Sequence, residues 1–320
     1  MKPKVLFVGE ATFLSTGYSV YYKTLMQAVQ AQGIEVEELA CCVNQNHPAI
    51  DYVPWRVYAN VPTDPKELEQ FKNFPGGEFG AYSFEKVLLR SKPSHVFDAR
   101  DNWHFEYQSR SSFRKYFSHL ICPAIDNDKQ NIQWLEQYRL SDATMCYTDW
   151  GCNIMKNHGV KNVVGRCSPI VSPIFKPVSD KRQRKEALGL GEIKIIGSVF
   201  RNQPRKLLPD ILDAFAKFLK QSSRKDTYLY LHTDLLGSWS LDTELNRFGV
   251  GHRVLFTYMC TKCSQIEPSF FSGPSKICSC GSVQTMPSGG LGPNQEQMAL
   301  IYNLFDVYLQ ISSNEGFCLP

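Results

Sequence analysis

The sequence predicts an α/β protein built from two doubly wound, Rossmann-like domains, the second incomplete, and three observations carry that expectation. The chain opens as strand, loop, helix and strand with short connections, the unit of a parallel sheet covered by helices. Pro169, Pro173 and Pro177, followed by the charged run 180–185, interrupt this alternation near residue 176. The alternation then restarts at residue 194. With 320 residues and 43% hydrophobic content the chain can bury two cores. The expected domains are 1–176 and 177–320, facing each other across a cleft, where such folds take ligands at the carboxyl ends of their strands.

The elements follow in order. Residues 5–8 form an apolar run that reads as the first strand, 10–18 a polar loop containing Gly17, and 20–32 a helix by its spacing of apolar residues, closed by Gly33. A second strand is expected over 35–42. The first domain continues with helix 84–90, strand 95–97, helix 113–117, strand 120–123, helix 132–137, strand 143–147 and helix 150–157. In the second domain the pattern predicts strand 194–199, helix 204–220 with a proline in its first turn, strand 227–232, helix 240–248, strand 254–256, helix 295–304 and strand 307–311.

Composition narrows the function classes. No apolar segment reaches membrane-spanning length, and the run before Gly9 and Glu10 is too short for a signal-peptide core, so a cytoplasmic protein is expected. The formal charge of +4 is slight and its basic residues are mixed with acidic ones, which argues against a nucleic-acid-binding face. A modest basic patch leaves room for phosphates or for peripheral contact with anionic lipid. Eleven cysteines, an odd number, in a chain of this length point to reduced thiols. Cys122, Cys146 and Cys167 sit in apolar or mixed runs and read as small buried apolar residues.

Two segments carry chemistry. From Gly197 a strand runs into a basic loop with Arg201, Arg205 and Lys206, and then into a helix. Backbone N–H groups, the positive end of a helix dipole and two cations suit a diphosphate; the alternative is that these cations only solvate the helix start. The second segment, 257–284, holds Cys260 and Cys263 at Cys-x-x-Cys spacing and, after fourteen residues, Cys278 and Cys280 at Cys-x-Cys spacing. Four thiolates suit a tetrahedral Zn²⁺, and with no open coordination position that role is structural; the alternative is four free thiols.

The segment Tyr302-x-x-x-Asp306, an apolar strand, and Ser312-Ser-Asn-Glu315-Gly316-Phe317-Cys318-Leu-Pro320 resembles a motif of retaining glycosyltransferases of the GT-B fold, family-4 type. Gly197-x-x-x-Arg201 followed by Lys206 and Leu-x-Ala-Phe resembles that family's diphosphate clamp. Cys318 stands where the family has Gly, and the second Glu of the motif would fall beyond Pro320, hence the expectation of an incomplete second domain.

The resemblance implies transfer of a hexose from a nucleotide diphosphate sugar, with retention, to a glycan, lipid or protein acceptor. It implies that Arg201 and Lys206 hold the diphosphate without a catalytic metal, that Glu315 faces the sugar, and that the Gly316 and Phe317 amides approach the phosphates. In the first domain it sets Gly17 beside the donor, Asp98 and Arg100 on the acceptor side, and Asp101 with Glu315 as catalytic; the alternative for the residues at 98–101 is a structural Arg–Asp pair. The stretches 123–128 and 148–151 resemble further loops of these enzymes, whereas 257–284 is an insertion expected to shape acceptor choice or a protein contact. A non-catalytic nucleotide- or glycan-binding module and a zinc-organised nucleic-acid-interacting protein are the competing readings.

Overall fold

The first strand shows why the sheet forms. In the computed structural model, which describes residues 3–288 and 291–315, β1 (Lys4–Glu10) sends Phe7 into a core on one face and Leu6 and Val8 into a core on the other. A strand buried on both faces reads as a continuous apolar run, the signature of a parallel sheet. The chain divides into two compact units, residues 1–170 together with Glu315, and residues 171–314.

In the first unit β1 is followed by α1 (Gly17–Ala31), β2 (Glu35–Asn44), β3 (Arg56–Val61), α2 (Pro65–Asn73), α3 (Ala81–Ser91), β4 (His95–Asp98) and α4 (Asn102–Ser109). Next come β5 (Ser118–Ile121), α5 (Ile132–Leu140), β6 (Ala143–Cys146), α6 (Asp149–Asn157) and β7 (Val163–Arg166). The seven strands pair in parallel in the order β3-β2-β1-β4-β5-β6-β7. The chain winds outward from β1 to β3 and resumes on the other side at β4, so the switch point lies at the carboxyl ends of β1 and β4. Thr16 caps α1 by accepting from the Ser19 N–H, and Gly33, at φ +78°, follows its end.

The expected helix 113–117 is only a 3₁₀ turn over Arg114–Tyr116, and β3, α2, α4 and β7 were not anticipated. α2 buries only Phe71, and β7 is a four-residue edge strand with no fully buried residue, so neither leaves a periodic apolar signal.

The second unit contains α7 (Lys181–Ala187), β8 (Lys194–Val199), α8 (Leu208–Gln221), β9 (Thr227–His232), α9 (Leu241–Phe248) and β10 (Val254–Cys260). It continues with β11 (Ile266–Phe270), β12 (Ser275–Ile277), β13 (Val283–Thr285), α10 (Gln295–Leu304) and β14 (Val307–Tyr308). β10, β9, β8 and β14 form the parallel part, and β11, β12 and β13 add antiparallel pairings beside β10. Leu229 and Leu231 face the core under α8 and α9, while Tyr230 faces the opposite core with Ile301 and Phe305.

Two expectations change here. The helix predicted over 204–220 is interrupted: Pro204–Lys206 is a 3₁₀ turn, Leu207 adopts φ 52° and ψ 42°, and only then does α8 begin. Pro209 explains the break, because inside a continuous helix its ring would collide with the Arg205 carbonyl four residues back. The strand expected over 254–256 runs on to Cys260, because antiparallel partners take over its pairing past the end of β9.

Candidate functional site

In the second unit the chain leaves β8 for β9 and β10 on one side and returns to β14 on the other, which puts the switch point at the carboxyl end of β8. Three segments meet there. The loop after β8 and the loop after β9 are joined by Asn202, which is buried: its side chain donates to the Trp239 carbonyl and accepts from the Trp239 N–H, and its own carbonyl accepts from the Ser238 N–H at 2.9 Å. Gly237 permits this approach, since a Cβ there would lie 2.1 Å from the Asn202 carbonyl oxygen.

The third segment follows β14. The Arg205 carbonyl, released from helical pairing by the break before α8, accepts from the Ser313 N–H at 2.9 Å and the Ser312 hydroxyl at 3.0 Å, and the Arg205 guanidinium donates to the Asn314 carbonyl. Glu315, half-buried, follows directly in the chain. Gly316 and Phe317 lie outside the described residues.

The cations at this end differ in character. Lys206 closes the 3₁₀ turn and is buried, whereas the Arg201 side chain is 60% exposed and reaches Asp234 only at 3.4 Å. Ser198 and Thr233, at the ends of β8 and β9, have buried hydroxyls with no hydrogen-bond partner among the described residues. His232 beside them is pushed down to about 4 by burial, so its ring is neutral at pH 7, and its Nδ1 lies 2.8 Å from the Thr257 hydroxyl. The arrangement offers backbone donors, one buried and one accessible cation and two buried hydroxyls, a set suited to an anionic, polar ligand.

The motif residues Gly197 and Asp306 turn out to support this end from below. A Cβ on Gly197 would fall inside the Phe305 ring, 2.1 Å from its nearest carbon, so the glycine lets that ring lie against β8. Asp306 accepts from Lys185 at 2.6 Å, from Lys181 at 2.9 Å and from the Ile195 N–H at 2.8 Å, fastening the start of β14 to the start of β8.

At the switch point of the first unit, Gly17 is the exposed first residue of α1. Tyr18, next to it, hydrogen-bonds Asp101, and burial followed by the negative charge of Asp101 pushes the phenol well above its ordinary value. Asp101 occupies the N-cap position of α4 without capping it. Asp98 and Arg100, expected either on the acceptor side or in a structural pair, are packed inside the first unit. Both side chains are at most 1% exposed and are joined to each other through Nε at 2.9 Å and through Nη2. Asp98 further accepts from Gln108 and Tyr22, and Arg100 donates to the Phe79 carbonyl. Their hydrogen bonds are made inside the domain, which favours the structural alternative. The sequence left both readings open, because the partners come from α1, α4 and the 3₁₀ turn before α3.

The four cysteines of 257–284 come together: the Sγ atoms of Cys260, Cys263, Cys278 and Cys280 all lie within 4.8 Å of one another, a cluster that could hold a metal ion. No helix among the described residues is long and apolar enough to cross a membrane.

No family model and no curated protein match this sequence. Solved structures do match its fold. Sucrose-phosphate synthase from Thermosynechococcus elongatus aligns with all of this chain and 77% of its own, at 17% identity and a TM-score of 0.67. A glycosyltransferase from Rickettsia africae aligns with 97% of this chain and 73% of its own, at 13% identity and a TM-score of 0.57. HepE from Anabaena, crystallised with UDP and glucose, covers 79% of this chain and 68% of its own, at 13% identity and a TM-score of 0.55. The likeness is one of fold: two Rossmann-like parallel-sheet units of the GT-B type.

Proposed function

We propose that this chain transfers a hexose from a nucleotide diphosphate sugar to a glycan, lipid or protein acceptor, with retention of configuration. One observation carries the reading. The Arg205 carbonyl holds Ser312 and Ser313 at the carboxyl end of β8, which draws the basic loop 200–207 and the segment leading into Glu315 to one switch point. In HepE the same fold holds UDP and glucose, which supports a nucleotide sugar as the donor.

In this reading Arg201 and Lys206 stabilise the charge that grows on the departing diphosphate, aided by the positive end of α8. Preorganised cations aimed at developing charge make a metal at the phosphates unnecessary. Glu315 is assigned to the sugar and Gly17 to donor binding; the role that the resemblance implies for Gly316 and Phe317 falls outside the described residues. Asp101, oriented by Tyr18, acts on the acceptor hydroxyl. The cysteine cluster takes no part in transfer. The proposed setting is the cytoplasm, where thiols stay reduced and the protein can meet its acceptor without a membrane span.

The test is calorimetric titration with UDP and UDP-glucose, followed by assay of sugar release and transfer. Binding that depends on Arg201, with turnover, supports the enzyme. Binding without any turnover of any nucleotide sugar points to the non-catalytic module instead, and no nucleotide binding overturns both.

A further inference from the structure

We propose that Cys260, Cys263, Cys278 and Cys280 bind one Zn²⁺ in a closed tetrathiolate site that fixes the antiparallel extension of the second sheet. This rests on no assumption about nucleotide sugars. The sulfur positions are the first argument. Cys260 and Cys280 have Sγ atoms 3.6 Å apart, Cys263 and Cys278 have theirs 3.7 Å apart, and all four lie within 4.8 Å. A tetrahedron with metal–sulfur bonds of about 2.3 Å has edges of about 3.8 Å. Disulfide sulfurs stand about 2.0 Å apart, so these are thiols set around a common centre and not two oxidised pairs.

The backbone builds the same centre from two turns. The first starts at Cys260, the last residue of β10, and reverses at Ser264, which adopts φ +59°. The N–H groups of Lys262 and Cys263 point at the Cys260 sulfur, each at 3.4 Å, and such donors favour a thiolate. The second turn is closed by the Cys278 N–H bond to Ser282 at 2.7 Å and by Gly281 at φ +79°. Pairing of Met259 and Cys260 with Thr285 and Gln284 lays the second turn against the first, so each turn contributes two ligands.

Burial supplies the reason for an ion. β12 and β13 have three residues each, and their apolar side chains Ile277 and Val283 are 69% and 43% exposed. A hairpin of this size with no core of its own needs another source of order, and a bound metal is one that small modules use. Four soft thiolates select zinc or iron, and four protein ligands leave no position open for catalysis. The first turn also meets α10, because Gln297, which completes the capping box of that helix, donates to the Ser264 carbonyl at 2.7 Å.

The experiment is metal analysis of the full chain, purified reduced and without chelator, beside a Cys263→Ser/Cys280→Ser variant. One equivalent of zinc per chain is expected in the parent and a loss of most of it in the variant. Because the variant could misfold, the parent is also tested alone: Co²⁺ exchange should give tetrahedral thiolate absorption, and a mercurial should release one zinc as four thiols react. A folded parent that takes up no zinc when reduced, or a variant that keeps its zinc, overturns the proposal. Stoichiometric iron overturns the choice of metal.

Discussion

Asp98 and Arg100, two residues apart at the end of β4, form a two-pronged ion pair that is sealed inside the first domain. Removing one partner strands the other charge away from water, a loss of about 3–5 kcal/mol for buried pairs. Arg100→Met and Asp98→Asn are therefore expected to lower the urea midpoint sharply without changing the denaturant slope. An effect on acceptor KM at full stability would restore the acceptor-side role that the structure argues against.

Asp306 gives the fold an acid-sensitive fastening. Burial alone would raise its carboxyl, but hydrogen bonds from Lys185, Lys181 and the Ile195 N–H outweigh it and hold the group at about 2. Burial also pushes Lys185 down from the ordinary ammonium value, yet it stays charged at acid pH. A depressed carboxyl stabilises the fold above its unfolded value of about 4, and that stability is lost as pH falls from about 4 towards 2. Solvent reaches about a quarter of the Asp306 side chain, which reduces the contribution to roughly 1 kcal/mol. Melting temperature measured against pH should fall less steeply in this window for Asp306→Asn than for the parent.

Gly197→Ala tests the packing beneath the basic loop. The new methyl would overlap the Phe305 ring, and overpacking of this kind costs roughly 1–3 kcal/mol. A paired Phe305→Leu change should recover part of the loss, since it removes the atoms in collision. Unchanged stability in Gly197→Ala would mean that β14 moves freely against β8.

The strands β8 and β9 and the helix α10 were legible to the residue, since each combines a strong apolar pattern with clear end signals. The Cys260–Cys280 cluster was legible for a different reason: ligand spacing survives without any knowledge of the fold. Pro209 announced the break before α8, but periodicity from Leu208 onward hid it. The Asp98–Arg100 pair stayed open between an acceptor-side and a structural reading because its meaning depends on partners distant in sequence, such as Tyr22, Phe79 and Gln108. Ser198 and Thr233 gave no sequence signal at all; only their burial without hydrogen-bond partners among the described residues marks them.

Arg201 and Lys206 should separate catalysis from stability. Arg201 is largely solvated and its side chain pairs with Asp234 at the surface, so Arg201→Ala should leave the melting temperature nearly unchanged. If it stabilises charge on the departing diphosphate, kcat falls by roughly 10²–10³, the range for removal of one preorganised donor. Lys206 is buried, so truncation to alanine would mix lost packing with lost charge; Lys206→Met keeps the stem. Its expected signature is loss of UDP affinity and of turnover, with secondary structure retained. A double variant no worse than either single one would show that the two cations act on the same developing charge. Full activity in Arg201→Ala would remove the diphosphate clamp from the mechanism and leave the loop as a solvated helix start.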